Sequence, residues 1–383
     1  LMGWTATGAS AAETLTIGVV LPLTGELAKF GKIEKTSFNI ALDEINAAGG
    51  INGQKLALII EDTMGKPEVA RSAVEKLISK DKVLALCGGY SSSETFAAVA
   101  VAQQLKIPYL VNTGAADAIT AQGWNYVFRL NQTVSDYPQA LLAFLNKMGD
   151  VKTAAVIFEN TLFGQSSSKE INEFLGKQGV KVMLKEGYEA GSVDFKPMLV
   201  TVKSAKPDLV YMISYLMDAS LIMRQSKELN FNPKLFAGGG GGFTLPEFRV
   251  NAGDAAEYVY SATLWTPDSP YPGAKAFSEK YSAQAKSPAT FHAAQAYAAV
   301  YVLADALKRA KSPTPADIRD ALAQTDLMTA YGRVKFVVSG KLKQQNMLPT
   351  FLVQWQKGKL ETVWPENTAS AKYIYPTPEW SKR

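Results

Sequence analysis

The chain has 383 residues, 47% hydrophobic and 20% charged, with a formal net charge of +5; this length suits two domains better than one, and the composition is that of a folded chain. The basic residues are scattered, without zinc-finger spacing or an aromatic/basic nucleic-acid motif, so nucleic acid is not an expected partner. No run of about 18 apolar residues suits a membrane span, and one cysteine (Cys87) with one histidine (His292) excludes an internal disulfide and leaves too few ligands for structural zinc, so neither metal nor cofactor is expected.

In chain order, Ala9-Ser10-Ala11 has the small-x-small form of a signal-peptidase site, so residues 1–13 read as a signal-peptide remnant or a disordered start. Residues 15–22 form a β run ended by proline. Residues 35–47 place Phe38, Ala41, Leu42 and Ile45 on one helical stripe, closed by the Gly49-Gly50-Ile51-Asn52-Gly53 turn. Strand 56–62, helix 68–80, strand 83–87, helix 93–104 and strand 108–112 continue the alternation. Cys87 ends an apolar strand and reads as core. A second series follows: strand 152–158, helix 164–178, strand 181–186, helix 195–204, strand 208–213, helix 219–229 and a strand from 234. Continuous apolar strands separated by helices predict parallel sheets covered on both faces, and two such series predict two lobes. The remainder reads as helices 277–281, 293–309 and 315–324 with Thr314 as N-cap. A hairpin over 332–341 and a strand and turn over 349–359 follow.

The segments Ile17-Gly18-Val19-Val20-Leu21-Pro22-Leu23-Thr24-Gly25 and Ala41–Gly53 resemble the opening strand, first helix and its Asn-x-x-Gly-Gly-Ile-x-Gly end in the branched-chain-amino-acid-type periplasmic binding proteins of ABC transporters. Glu61-Asp62-Thr63, Gly88-Gly89-Tyr90-Ser91-Ser92-Ser93, Met223-Arg224-Gln225, Ala252–Glu257 and Val353-Gln354-Trp355 continue the match in order from about residue 14 to about 365. The resemblance implies a type I periplasmic fold: an α/β protein of two lobes, each a mostly parallel sheet flanked by helices, with the ligand between them. Three hinge crossings are expected near Leu130-Asn131-Gln132, Ala262-Thr263 and Gln344–Asn346. Lobe I would comprise residues 14–130 and 264–344, lobe II residues 131–263 and 345–365, with 366–383 as a C-terminal tail.

Ligands in open α/β sheets sit beyond the C-terminal strand ends. Ser91 and Ser92 stand there, at a helix N-terminus suited either to capping or to an anion; the resemblance implies that Ser91 binds a carboxylate. Ala115 and Ala116 offer backbone groups to the same carboxylate, Ala116 standing where the family has a threonine. Phe30, Tyr90, Phe163 and Tyr215 match wall positions, and His292 precedes a long helix near the cleft. In the run Gly238–Gly242, with Gly239 and Gly240, a glycine (Gly239 in the match) replaces the family's glutamate for the ligand ammonium. Asp218, Glu159 or Asp117 are possible substitutes, and no Gly-Lys-Ser/Thr phosphate loop is present.

The expected function is therefore a soluble, exported, monomeric periplasmic receptor. It passes a small organic anion, foremost an aromatic or apolar carboxylate without an α-amino group, to the membrane permease of an ABC importer. A branched-chain or aromatic amino acid is the alternative ligand. An enzyme lacks a catalytic constellation in a chain with one histidine, and a ligand-sensing regulator would need a DNA-binding segment.

Overall fold

The computed structural model describes residues 14–383; the expectation for residues 1–13 lies outside the described residues. β1 (Leu15–Leu21), α1 (Ala28–Ala47), β2 (Leu56–Asp62), α2 (Pro67–Ser79), β3 (Ala85–Gly88), α3 (Ser92–Gln104), β4 (Tyr109–Val111) and β5 (Val127–Arg129) begin the first unit. The chain then crosses into α4 (Gln139–Met148), β6 (Thr153–Glu159), α5 (Leu162–Lys177), β7 (Lys181–Tyr188), α6 (Lys196–Ser204), β8 (Leu209–Ile213), α7 (Leu216–Glu228), β9 (Leu235–Gly238), α8 (Pro246–Ala252) and β10 (Tyr260–Thr263). It returns through α9 (Ala274–Ala285), α10 (Phe291–Arg309), α11 (Pro315–Ala323), β11 (Asp326–Thr329), β12 (Gly332–Lys335), β13 (Val337–Ser339) and β14 (Leu342–Gln345). A third crossing leads to β15 (Phe351–Gln356) and β16 (Lys359–Trp364).

Fourteen of these strands form two seven-stranded sheets, ordered β2-β1-β3-β4-β5-β14-β13 and β7-β6-β8-β9-β10-β15-β16, and β11 pairs with β12 in a separate ribbon. Neighbours from β2 to β14 and from β7 to β10 are parallel; the edges beyond them are antiparallel. The apolar runs are continuous because helices cover both faces: Val19, Val20 and Leu21 of β1 are all inaccessible to solvent. Small residues let helices approach: α10, which packs against α1, buries Ala293, Ala296 and Ala299. In each sheet the strand order reverses at one strand, β1 in the first and β6 in the second. Such switch points open crevices at the C-terminal strand ends. This is the type I periplasmic binding fold with two lobes.

Two local expectations need correction. The first helix starts at Ala28, not 35, so Phe30 lies in its first turn rather than in a loop. Leu27 at the N-cap makes no side-chain cap, so the start carried no capping signal. The strand at 332–336 does not pair forward: β12 pairs back with β11, held by Asp326 bridging Arg333 (2.6 Å) and Lys335 (3.2 Å), while Gly340 turns a separate β13–β14 hairpin. Residues 366–383, expected as a C-terminal tail, pack against the second sheet's unit. Tyr260 donates to Ile374 O (2.7 Å), Thr377 N to Lys234 O (2.7 Å), and the Trp380 indole, buried in a core with Phe231 and Phe236, donates to Phe231 O (3.0 Å).

Candidate ligand cleft between the two sheets

Loops after β1, β3 and β4 of one sheet face those after β6, β8 and β9 of the other. Aromatic rings fill the junction. Phe30 stacks on Tyr90 with centroids 4.3 Å apart and planes 16° apart, and His292 meets both rings at 5.2 and 5.5 Å. From the opposite side Tyr215 lies 5.9 Å from Tyr90 and 5.8 Å from Phe163. Tyr137, just beyond the first crossing, lies 6.4 Å from Phe163. The rings leave a cavity of about 20 Å³ lined by Tyr90, Ser92, Thr113, Ala115, Tyr137, Phe163, Tyr215, Gly241 and His292. That holds about one water, so the two sheets meet in a closed arrangement.

The structure separates the two serines. Ser91 is the N-cap of α3 in a complete capping box: its Oγ accepts from Glu94 N (3.3 Å), and Glu94 Oε1 accepts from Ser91 N (2.8 Å). Ser92, 2% exposed, lines the cavity, and its Oγ accepts from Ala115 N (3.3 Å) and Ala116 N (3.1 Å). No acceptor takes the Ser92 hydroxyl proton among the described residues, which leaves it for an acceptor in the cleft.

Of the glycine run, Gly241 lines the cavity. Gly239 and Gly240 serve packing: a Cβ on Gly239 would lie 2.6 Å from the Tyr211 hydroxyl, and one on Gly240 2.8 Å from the Tyr137 ring. Tyr211 thus occupies the room a side chain at 239 would need. Asp218 is engaged by Tyr215 N (3.1 Å) and the Tyr188 hydroxyl, and Asp117 by Ser135 Oγ (2.7 Å). Glu159 Oε2, like Asp117 Oδ1, is buried without a hydrogen-bond partner, and burial beside Asp218 and Glu26 pushes the Glu159 carboxyl up to about 8.

The cavity wall carries no acidic side chain and no ionised cation. Burial drives His292 down to about 3, so its ring is neutral, and its Nδ1 is buried without a partner. Behind Thr113, Oγ1 lies 2.7 Å from Glu34 Oε1, while Asn112 Nδ2 donates to Glu34 Oε2 (2.8 Å). Burial pushes the Glu34 carboxyl up to about 8 against these bonds. Burial also raises the Cys87 thiol well above its ordinary range, which leaves it inert. Sequence reasoning missed Thr113, Tyr137 and Gly241 as lining residues. Position alone, at a strand end, a crossing and the glycine run, was the available signal.

A family model described as periplasmic binding protein matches residues 14–359. Leu/Ile/Val-binding protein homolog 7 of Brucella melitensis is 30% identical over 383 residues, covering 96% of each chain. Homolog 8 of Brucella abortus is 32% identical over 381 residues, covering 95% of this chain and 93% of the relative. Among solved structures, the branched-chain amino acid transporter substrate binding protein LivJ from Streptococcus pneumoniae, in complex with isoleucine, superposes with a TM-score of 0.83 at 26% identity, covering 95% of this chain and 100% of that one. An ABC transporter solute binding protein from R. palustris, in complex with benzoate, superposes with a TM-score of 0.82 at 22% identity, covering 92% and 96%.

Proposed function

The chain belongs to the periplasmic binding protein family, and from that premise we propose that it is a soluble periplasmic receptor that captures an aromatic or apolar carboxylate lacking an α-amino group. It delivers this ligand, as a monomer, to the membrane permease of an ABC importer. Residues 14–130 with 264–344 and residues 131–263 with 345–365 act as the two jaws, and no bond-making chemistry is assigned.

The observation that carries the ligand class is the cavity wall: four aromatic rings and a neutral imidazole, with no carboxylate for an ammonium. The carboxylate sits at the α3 N-terminus, where the helix dipole and the Ser92 proton favour an anion. Tyr90, Phe163, Tyr215 and Phe30 flank the ring. The fold accommodates both ligand types, since one neighbour holds isoleucine and another benzoate.

A second reading, a branched-chain or aromatic amino acid, draws on the relatives' names and on the unpartnered Oε2 of Glu159. A thermal-shift panel separates the two. A ligand at about 1,000 times its Kd adds about 4 kcal/mol to the folded state. Benzoate or phenylpropanoate should raise Tm while leucine and phenylalanine do not; the reverse pattern assigns the cleft to amino acids.

A further inference from the structure

Arg129 closes β5 and is wholly buried, yet among the described residues it forms no ion pair. Its guanidinium meets only neutral oxygens: Gln345 Oε1 (2.6 Å), Thr120 Oγ1 (2.6 Å), Ala116 O (2.7 Å) and, at 3.5 Å, Gly114 O. Burial lowers its pKa to about 10, which leaves it charged at neutral pH. The nearby carboxyls of Asp117 and Asp136 favour the charged form without pairing with it directly, so the buried cation is held mainly by these neutral oxygens.

The four carbonyls of the loop 113–116 all point toward the segment 129–134. Thr113 O accepts from Asn131 Nδ2, Gly114 O and Ala116 O from Arg129, and Ala115 O from Val134 N (3.0 Å). The N–H groups of Ala115 and Ala116 point the other way, onto Ser92 Oγ. The peptide dipoles are therefore aligned with their positive ends toward the cleft. A continuous chain runs from the guanidinium through the Gly114–Ala115 peptide to the Ser92 hydroxyl, whose oxygen accepts from that peptide and which lines the cavity. Each hydrogen bond in such a chain polarises the next.

We propose that Arg129 is a specificity-determining residue, a fixed positive charge behind the loop 113–116 that makes the cleft select anionic over neutral ligands without touching them. This rests on the carboxylate part of the proposed function and is indifferent to whether the ligand also carries an amino group.

The test compares matched acid and amide probes, benzoate with benzamide and leucine with leucinamide, by calorimetric titration of wild type, Arg129→Gln and Arg129→Lys. Arg129→Gln should weaken the acid that binds by about tenfold to a hundredfold, the loss of one charge-assisted interaction, while the amide changes far less. Arg129→Lys keeps the charge and should keep most of the acid-to-amide ratio even if both affinities fall. Equal losses for acid and amide in Arg129→Gln would reduce Arg129 to a structural part and overturn the proposal. If Arg129→Gln does not fold, Arg129→Met removes the charge at similar volume and is read the same way: a loss confined to the acid supports the proposal and equal losses for acid and amide overturn it. Wild type that binds neither acid would overturn the anion site itself, a failure distinct from wild type that binds an acid with a ratio insensitive to residue 129.

Discussion

Adjacent serines at the start of α3 stand in different surroundings, Ser91 in a capping box and Ser92 on the cavity wall, and under the proposed function their substitutions should part accordingly. Ser91→Ala removes a helix cap and should cost about 1 kcal/mol of stability, read by urea unfolding, with ligand affinity nearly unchanged. Ser92→Ala removes the hydroxyl that lines the cavity and should cost about tenfold to a hundredfold in affinity for the carboxylate. Equal affinity losses for both would mean that the cap, not the Ser92 proton, shapes the site. The sequence placed both serines at a strand end but did not tell them apart, because an N-cap and a ligand donor share the same residue type. Gly239 was similarly ambiguous: the missing glutamate was legible, whereas the Tyr211 hydroxyl that fills its space comes from a different strand. Glu34 makes a pH-dependent prediction. Its folded pKa, about 8, lies above the ordinary 4.5, so between these values the native state holds a proton that the unfolded chain has released. Its contribution to stability is fully present below the lower value and is lost as pH rises through the window. Glu34→Gln keeps an NH2 donor for Thr113 and a carbonyl for Asn112. It should therefore gain stability relative to wild type as pH rises from about 5 to about 8; a difference independent of pH would show that Glu34 is ionised in the fold.

At the level of elements, the sequence was most legible where burial is uniform. β1, β2, β6 and β8 are continuous apolar runs, and α2, α5 and α10 carry clear helical stripes. β5 was missed because it has three residues and ends on Arg129, which reads as surface until the loop carbonyls and Gln345 surround it. The β12 pairing was misread because Ser339-Gly340 is a strong turn signal, while the charge pairing of Asp326 with Arg333 and Lys335 lies one strand earlier. The C-terminal segment has no periodicity, and its attachment rests on a few side chains. Trp380 is 9% exposed in the core of the second lobe, its indole N–H on Phe231 O and the Arg383 guanidinium 3.5 Å over its ring. Trp380→Ala should destabilise the protein by about 3 kcal/mol or more, measured by urea unfolding. A loss below about 1 kcal/mol, the range of surface substitutions and mild core changes, would show that residues 366–383 contribute little to the second lobe.

For the molecule as a whole, the question is how a cleft with so little free volume admits a ligand. Among the described residues, the sheets meet through aromatic contacts between Phe30, Tyr90 and Tyr215 and through one ion pair, Lys29 of α1 with Glu247 of α8. That pair is about one-third exposed on each side, and such pairs contribute about 0–1 kcal/mol, too little to lock the jaws. The first and third crossings are tied to each other: Gln345 Nε2 donates to Asn131 O (2.6 Å), Asn346 Nδ2 to Leu130 O (3.1 Å) and Gln132 Nε2 to Pro349 O (3.3 Å). The jaws therefore have a fixed pivot and a weak latch, the arrangement for hinge closure around a ligand. Small-angle X-ray scattering, with and without saturating amounts of the carboxylate found by thermal shift, tests this most directly. Capture between the lobes predicts a smaller radius of gyration with ligand than without; superimposable curves at saturation would contradict it.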